Sequence, residues 1–119
     1  MLAVGVDMIE VARIAQAISR HGARFRNRVF TEQEQAHCAG SVARLAGRFA
    51  IKEAVAKALG TGIGDVRWLD IEVVCDGRGK PHLVLHNAAA ELARARGWQH
   101  WDISLSHTQA HAIGFIVAT

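Results

Sequence analysis

Arg48-Phe-Ala-Ile-Lys-Glu-Ala-Val-Ala-Lys-Ala-Leu-Gly-Thr-Gly62 is the stretch on which the rest of the chain turns. Alanine and leucine are strong helix formers, and Gly60 stands where a helix would stop. At 100° per residue, Val42, Leu45, Ala46, Phe49, Ala56 and Gly60 share one stripe, with Glu53 in its middle. A carboxylate on an apolar stripe is costly to bury unless something compensates it. Lys57, one turn on, is one candidate, through an i,i+4 ion pair worth ~0.2–0.5 kcal/mol. A metal ion is the other. The first choice makes a structural helix, the second an active site.

Working outward, Ser41 opens this helix, which ends near Gly60. Residues 2–7 alternate as a strand, and a helix follows from Ile9 to Ser19 with Val11, Ile14, Ala15 and Ile18 as its core face. Thr31-x-x-Glu34 is a capping box that opens a short helix to about Cys38. Trp68–Cys75 and His82–Leu85 read as strands joined by an Asp76-Gly77 turn. Asn87 caps a helix that runs through Arg96 to Gly97. Trp101–Ser106 is a strand with Trp101, Ile103 and Leu105 inward. His111–Ala118 is nearly continuous in apolar residues, which predicts burial on both faces. The order is that of an α+β fold: a mixed or antiparallel sheet packed by one long central helix.

The 119 residues, half of them hydrophobic, fit a single domain over 1–119. No apolar run approaches the ~20 residues of a membrane helix. Met1–Val6 has no basic leader and does not read as a signal peptide. Cys38 and Cys75, with no C-x-x-C, read as reduced thiols of a cytoplasmic protein. The histidines lack a zinc-binding spacing. A net charge of +3 hides an asymmetry: residues 13–52 hold seven arginines and Lys52 against only Glu32 and Glu34. Such a patch is either a solvated face or a surface for an acidic partner.

Asp7, at the end of the first strand, has two readings. Asp7-x-x-Glu10 fits a helix cap. Alternatively, Asp7 and Glu53 from separate elements are hard oxygen ligands suited, with phosphate and water, to Mg²⁺. Lys57 could then neutralise a phosphate beside the metal. Gly60-Thr61-Gly62-Ile63-Gly64 follows a helix, the reverse of the dinucleotide-binding order, and is first a helix stop. Ser104-Leu105-Ser106-His107 closes a strand with a polar rim and no G-x-S-x-G elbow. No enzyme nucleophile stands out, so an attacking group would come with a substrate.

Together, G-V-D-M-I-E-V-A-R-I (5–14), R-F (24–25), G-R-F-A-I-K-E-A-V-A-K-A-L-G-T-G-I-G (47–64), G-K-P (79–81) and S-L-S-H (104–107) resemble the holo-acyl-carrier-protein synthases, a family of 4′-phosphopantetheinyl transferases. These segments occur in the family's order and span nearly the whole chain. The resemblance implies transfer of the phosphopantetheine arm of coenzyme A to a serine of apo-acyl carrier protein, with release of adenosine 3′,5′-bisphosphate. It implies Mg²⁺ on Asp7 and Glu53, and Lys57 at the pyrophosphate. Arg48, Lys57, Gly60, Ser106 and His107 match coenzyme A positions. Arg13, Arg20, Arg24 and Arg28 match a carrier-docking surface, and the family is typically a homotrimer with shared sites. Two rivals stand beside it. One is a small basic nucleic-acid-binding module, disfavoured by the lack of tyrosine and of an aromatic run. The other is a non-catalytic trimeric scaffold in which Asp7 is a cap and Glu53 an ion-pair partner.

Overall fold

The computed structural model describes residues 2–119. In chain order its elements are β1 (Ala3–Glu10), α1 (Val11–His21), α2 (Ala23–Val29), α3 (Glu32–Cys38), α4 (Val42–Leu59), a 3₁₀ turn (Trp68–Asp70), β2 (Ile71–Cys75), β3 (Pro81–Leu85), α5 (Asn87–Ala95), β4 (Trp101–His107) and β5 (His111–Ala118). The strands form a three-stranded sheet in the order β1-β5-β4 and a separate β2-β3 hairpin. Every ladder is antiparallel, so the antiparallel alternative of the α+β expectation holds.

Two glycines determine how α4 meets the sheet. A Cβ added to Gly5 on β1 would lie 2.1 Å from the Ala54 carbonyl oxygen, and one on Gly114 of β5 would lie 2.6 Å from the Ile51 nitrogen. Helix backbone therefore rests on strand backbone, with no side chain between them. Around this contact Ile51, Ala54, Val55, Ile103 and Ile116 form one buried cluster, and Ile9, Ile14, Leu45, Ala46 and Ala50 belong to a second. Helix α4 contributes to both, so it is buried around much of its girth rather than along one stripe. The stripe drawn from the sequence is accordingly too narrow, and Glu53 lies at the half-buried margin of α4, not in its core.

Several local expectations hold. Thr31 and Glu34 form the full capping box: the Glu34 amide donates to Thr31 Oγ1 at 3.1 Å and the Thr31 amide to Glu34 Oε1 at 2.9 Å. Ser41 caps α4, and Gly60 closes it with φ +77°, a left-handed conformation natural to glycine. The Asp76 turn is tied by its carboxylate to the Arg78 and Lys80 amides.

Others are corrected. Strand β1 continues through Asp7 to Glu10, so α1 starts later, with Glu10 at its N-cap and no side-chain capping bond. Asp7 is therefore a strand residue and not a cap. Ala15 faces solvent, and α2 has no counterpart in the periodicity analysis. Trp68–Asp70 coils as a 3₁₀ turn before β2 begins. Asn87 is already inside α5, and its side-chain amide donates to Asp70 Oδ1 at 3.2 Å instead of capping.

Strand β5 is not buried on both faces. Ala112, Gly114, Ile116 and Ala118 face α4, whereas Ile113 and Phe115 point outward and are 41% exposed. One helix covers only one face of a sheet, and the other face presents Val4, Val6, Met8, Ile113 and Phe115.

Replacing Gly5 by alanine must lift α4 off β1. A loss of at least about 2 kcal/mol is expected in chemical denaturation. Gly62→Ala, at a site with open space around it, is expected to stay within about 1 kcal/mol of the parent.

Candidate active site

Alternation along β1 turns Asp7, like Gly5 and Ile9, toward α4. Lys57 reaches across from α4, and its Nζ donates to Asp7 Oδ1 at 2.8 Å and to the Val6 carbonyl at 3.3 Å. The lysine thus spends its charge on the strand and not on Glu53 one turn back, so the simple i,i+4 pair does not form. The Asp7 carboxylate holds the Lys57 ammonium above its usual pKa range.

Glu53 makes no salt bridge or side-chain hydrogen bond among the described residues. Partial burial pushes its pKa up, the Asp7 carboxylate pushes it further, and Lys57 only partly offsets the two. Asp7 and Glu53 line one open cavity of about 340 Å³, together with Arg13, Phe25 and Phe49. No group of three or more His, Cys, Asp or Glu residues that could hold a metal occurs among the described residues. The donor set is therefore two carboxylates facing a cavity. That set suits Mg²⁺, which takes one or two protein carboxylates and completes its shell with water and substrate phosphate. The residues fit the ion.

A second cavity of about 240 Å³, lined by His21, Arg24, Phe25 and Arg28, adjoins the first, with Phe25 as the common wall. Arg13 thus lines the cavity of the carboxylates, and Arg24 and Arg28 line the one beyond Phe25. Arg20 is exposed at the end of α1 and lines neither cavity.

The other candidate residues stand apart within one chain. Ser106 and His107 lie on β4, exposed, with all of β5 between them and β1. Two strand spacings put them about 10 Å from the β1 edge. Arg48 is buried, donating to Cys75 Sγ at 3.1 Å and to the Arg44 carbonyl at 3.3 Å, and it does not line the Asp7 cavity. The Gly60 amide bonds the Ala56 and Lys57 carbonyls and the Thr61 amide bonds Ala56, so these N–H groups finish the helix. Cys38 and Cys75 are both free thiols.

The sequence profile of the 4′-phosphopantetheinyl transferase superfamily matches residues 3–116. The chain belongs to this superfamily. Among curated superfamily proteins, it is 50% identical to a holo-[acyl-carrier-protein] synthase of Herpetosiphon aurantiacus, with 98% of each chain covered. It is 44% identical to one of Alkaliphilus metalliredigens, covering 98% of this chain and 97% of the relative. Among superfamily structures, it matches the Helicobacter pylori synthase crystallised with coenzyme A with a TM-score of 0.89 at 31% identity, covering 98% of this chain and 99% of the other. The Bacillus anthracis synthase in complex with coenzyme A (3′,5′-ADP) matches with a TM-score of 0.78 at 36% identity, covering 98% and 94%.

Phe25 did not emerge as a wall residue from sequence because α2 is too short to show a period. Phe49 could have been found, since it sits one turn before Glu53 on the stripe.

The Glu53 shift carries a stability consequence. A carboxyl whose folded pKa is raised favours the fold while protonated, and that contribution is lost as pH rises through the raised value. With divalent metal chelated, Glu53→Gln is therefore expected to melt above the parent at pH 7. The advantage should vanish below about pH 4, where the carboxyl is protonated in both states. Thermal melts across that range check it.

Proposed function

We propose that this transferase is a holo-acyl-carrier-protein synthase, moving the 4′-phosphopantetheine arm of coenzyme A to a serine of apo-acyl carrier protein. The observation that carries the reading is the single cavity shared by Asp7, Glu53 and Arg13, with the Arg24 and Arg28 groove opening beside it. Two carboxylates beside a lysine and an arginine suit a pyrophosphate with its counter-ion, and the basic groove suits an acidic protein partner. Relatives with this name are 44–50% identical to the chain over nearly full length.

In the reaction, the serine oxygen of the carrier forms a bond to phosphorus as the pyrophosphate P–O bond breaks, and adenosine 3′,5′-bisphosphate leaves. Asp7 and Glu53 would hold Mg²⁺, which when bound offsets the charge of the pyrophosphate. The Lys57 ammonium, already 2.8 Å from Asp7, supplies further positive charge to the same phosphates. Glu53, or a water beside it, accepts the serine proton. Arg13, Arg24 and Arg28, with Arg20 at their edge, steer the carrier to the cavity.

The reading includes a homotrimer. Support comes from the uncovered apolar face of Val4, Val6, Met8, Ile113 and Phe115, and from the separation of Ser106 and His107 from Asp7 in one chain. A neighbouring copy would supply His107, with Ser106 beside it, to the coenzyme A site, to which the family resemblance also assigns Arg48 and Gly60. The assignment to the cytoplasm rests on free cysteines, and no helix among the described residues is long and apolar enough to cross a membrane. A nucleic-acid-binding module or a non-catalytic scaffold would leave the Asp7 and Glu53 cavity without a role.

Mass spectrometry of apo carrier protein incubated with the parent, coenzyme A and Mg²⁺ is expected to show one added phosphopantetheine. Asp7→Ala and Glu53→Ala should each lose on the order of 10²–10⁴ in turnover while remaining folded. Full activity in either would defeat the metal assignment. A second expectation concerns docking. Arg13→Glu or Arg24→Glu should raise KM for the carrier far more than KM for coenzyme A, and added salt should weaken the parent in the same way. An unchanged carrier KM would reduce the patch to a solvated face.

A further inference from the structure

Lys52 has no exposed surface, and each of its ammonium donors is engaged. Its Nζ meets Glu34 Oε1 at 2.9 Å, the Trp68 carbonyl at 3.0 Å and the Ile71 carbonyl. Glu34 is equally enclosed. Its Oε1 also accepts the Thr31 amide at 2.9 Å, and its Oε2 accepts the Val73 amide at 2.9 Å. One ion pair thus ties together α3, α4, the 3₁₀ turn and β2.

Burial of such a pair is weak evidence for stability, since well-packed apolar residues of similar volume often serve as well or better. Its consequence here is geometric. Gly5 and Gly114 determine how closely α4 approaches the sheet, and backbone resting on backbone offers no side chain there to key the rotation of the helix. Lys52 anchors α4 on another side. Glu53 follows it in sequence, about 100° around the helix. A side-chain tip stands about 6 Å from the axis, so a roll of about 10° displaces it by about 1 Å. Misplacements of that size can cost about a hundredfold in rate. A second connection runs through Trp68. Its carbonyl holds Lys52, while its ring stacks on Phe49 with centroids 4.7 Å apart and planes 28° from parallel. Phe49 is a wall of the cavity that Glu53 lines.

We infer that Lys52 and Glu34 are positioning residues that hold α4 at the rotation presenting Glu53 to the cavity beside Asp7. The inference rests on the proposed function for its readout. The test is the double variant Lys52→Met/Glu34→Gln, which removes both charges at similar volume and leaves no ion unpaired. Direct Mn²⁺ titration followed by electron paramagnetic resonance needs no turnover and reads the carboxylate pair alone. In a variant with a cooperative melt and parental near-ultraviolet circular dichroism, Mn²⁺ affinity and kcat are each expected to fall about tenfold or more. KM for the carrier should stay within about twofold, because Arg13, Arg24 and Arg28 are untouched. Mn²⁺ affinity and kcat within about twofold of the parent in that folded variant would overturn the inference. If the double variant does not fold, Glu34→Asp, which keeps both charges and withdraws the carboxylate by one methylene, is measured at 10 °C and held to the same two criteria. A parent that binds no Mn²⁺ contradicts the proposed metal site itself, a result distinct from a variant that binds as the parent does.

Discussion

Backbone contact between α4 and the sheet at Gly5 and Gly114 is the constraint on which the rest of the molecule depends. With any side chain at either position, the helix would stand off and Glu53 would move away from Asp7. The contact also explains the composition of α4. Ala46, Ala50 and Ala54 are small enough for close seating, while Leu45, Ile51, Val55 and Leu59 fill the space on its flanks. Close packing on this scale leaves few ways to relax, so a displacement of the helix is transmitted to whatever the helix carries.

The electrostatics follow from that seating. Asp7 comes close enough to Glu53 to disfavour its charge, and Lys57 satisfies the strand carboxylate rather than the helical one. The result is a half-buried carboxylate without a partner, facing an open cavity. In a purely structural helix this would be an unexplained cost. Beside an arginine-lined groove it is a site prepared for a cation and the phosphates that accompany one. Lys52 shows the opposite solution on the same helix. It is fully enclosed and satisfied at every donor, and burial pulls its pKa down against the pull of Glu34. Neighbouring residues thus serve different ends, one securing the helix and the other available for chemistry.

Much of this was visible in the residues themselves. The capping box at Thr31 and Glu34, the stop at Gly60 and the turn at Asp76 are local chemistry, and each formed as read. Asp7 shows where local reading fails. Its spacing to Glu10 fits a cap as well as a strand residue, and only the pairing of β1 with β5 along its whole length decides between them. The apolar run of β5 misled because hydrophobicity marks what can be buried, not what covers it. Ile113 and Phe115 lie on a face that one chain leaves open. The partnership of Lys52 with Glu34 spans 18 positions, and no periodicity could have matched them. Carboxylate chemistry and the family resemblance pair Glu53 with Asp7, whereas in the fold they meet because two glycines allow it.

The most direct test is anomalous diffraction from crystals grown with Mn²⁺, a spectroscopically and crystallographically visible stand-in for Mg²⁺. A peak coordinated by carboxylate oxygens of both Asp7 and Glu53, lost in Gly5→Ala crystals while the remainder of the fold persists, is the expected result. A peak that bypasses either carboxylate, or one unchanged when the helix is lifted from the sheet, would contradict the dependence of the site on the seating of α4.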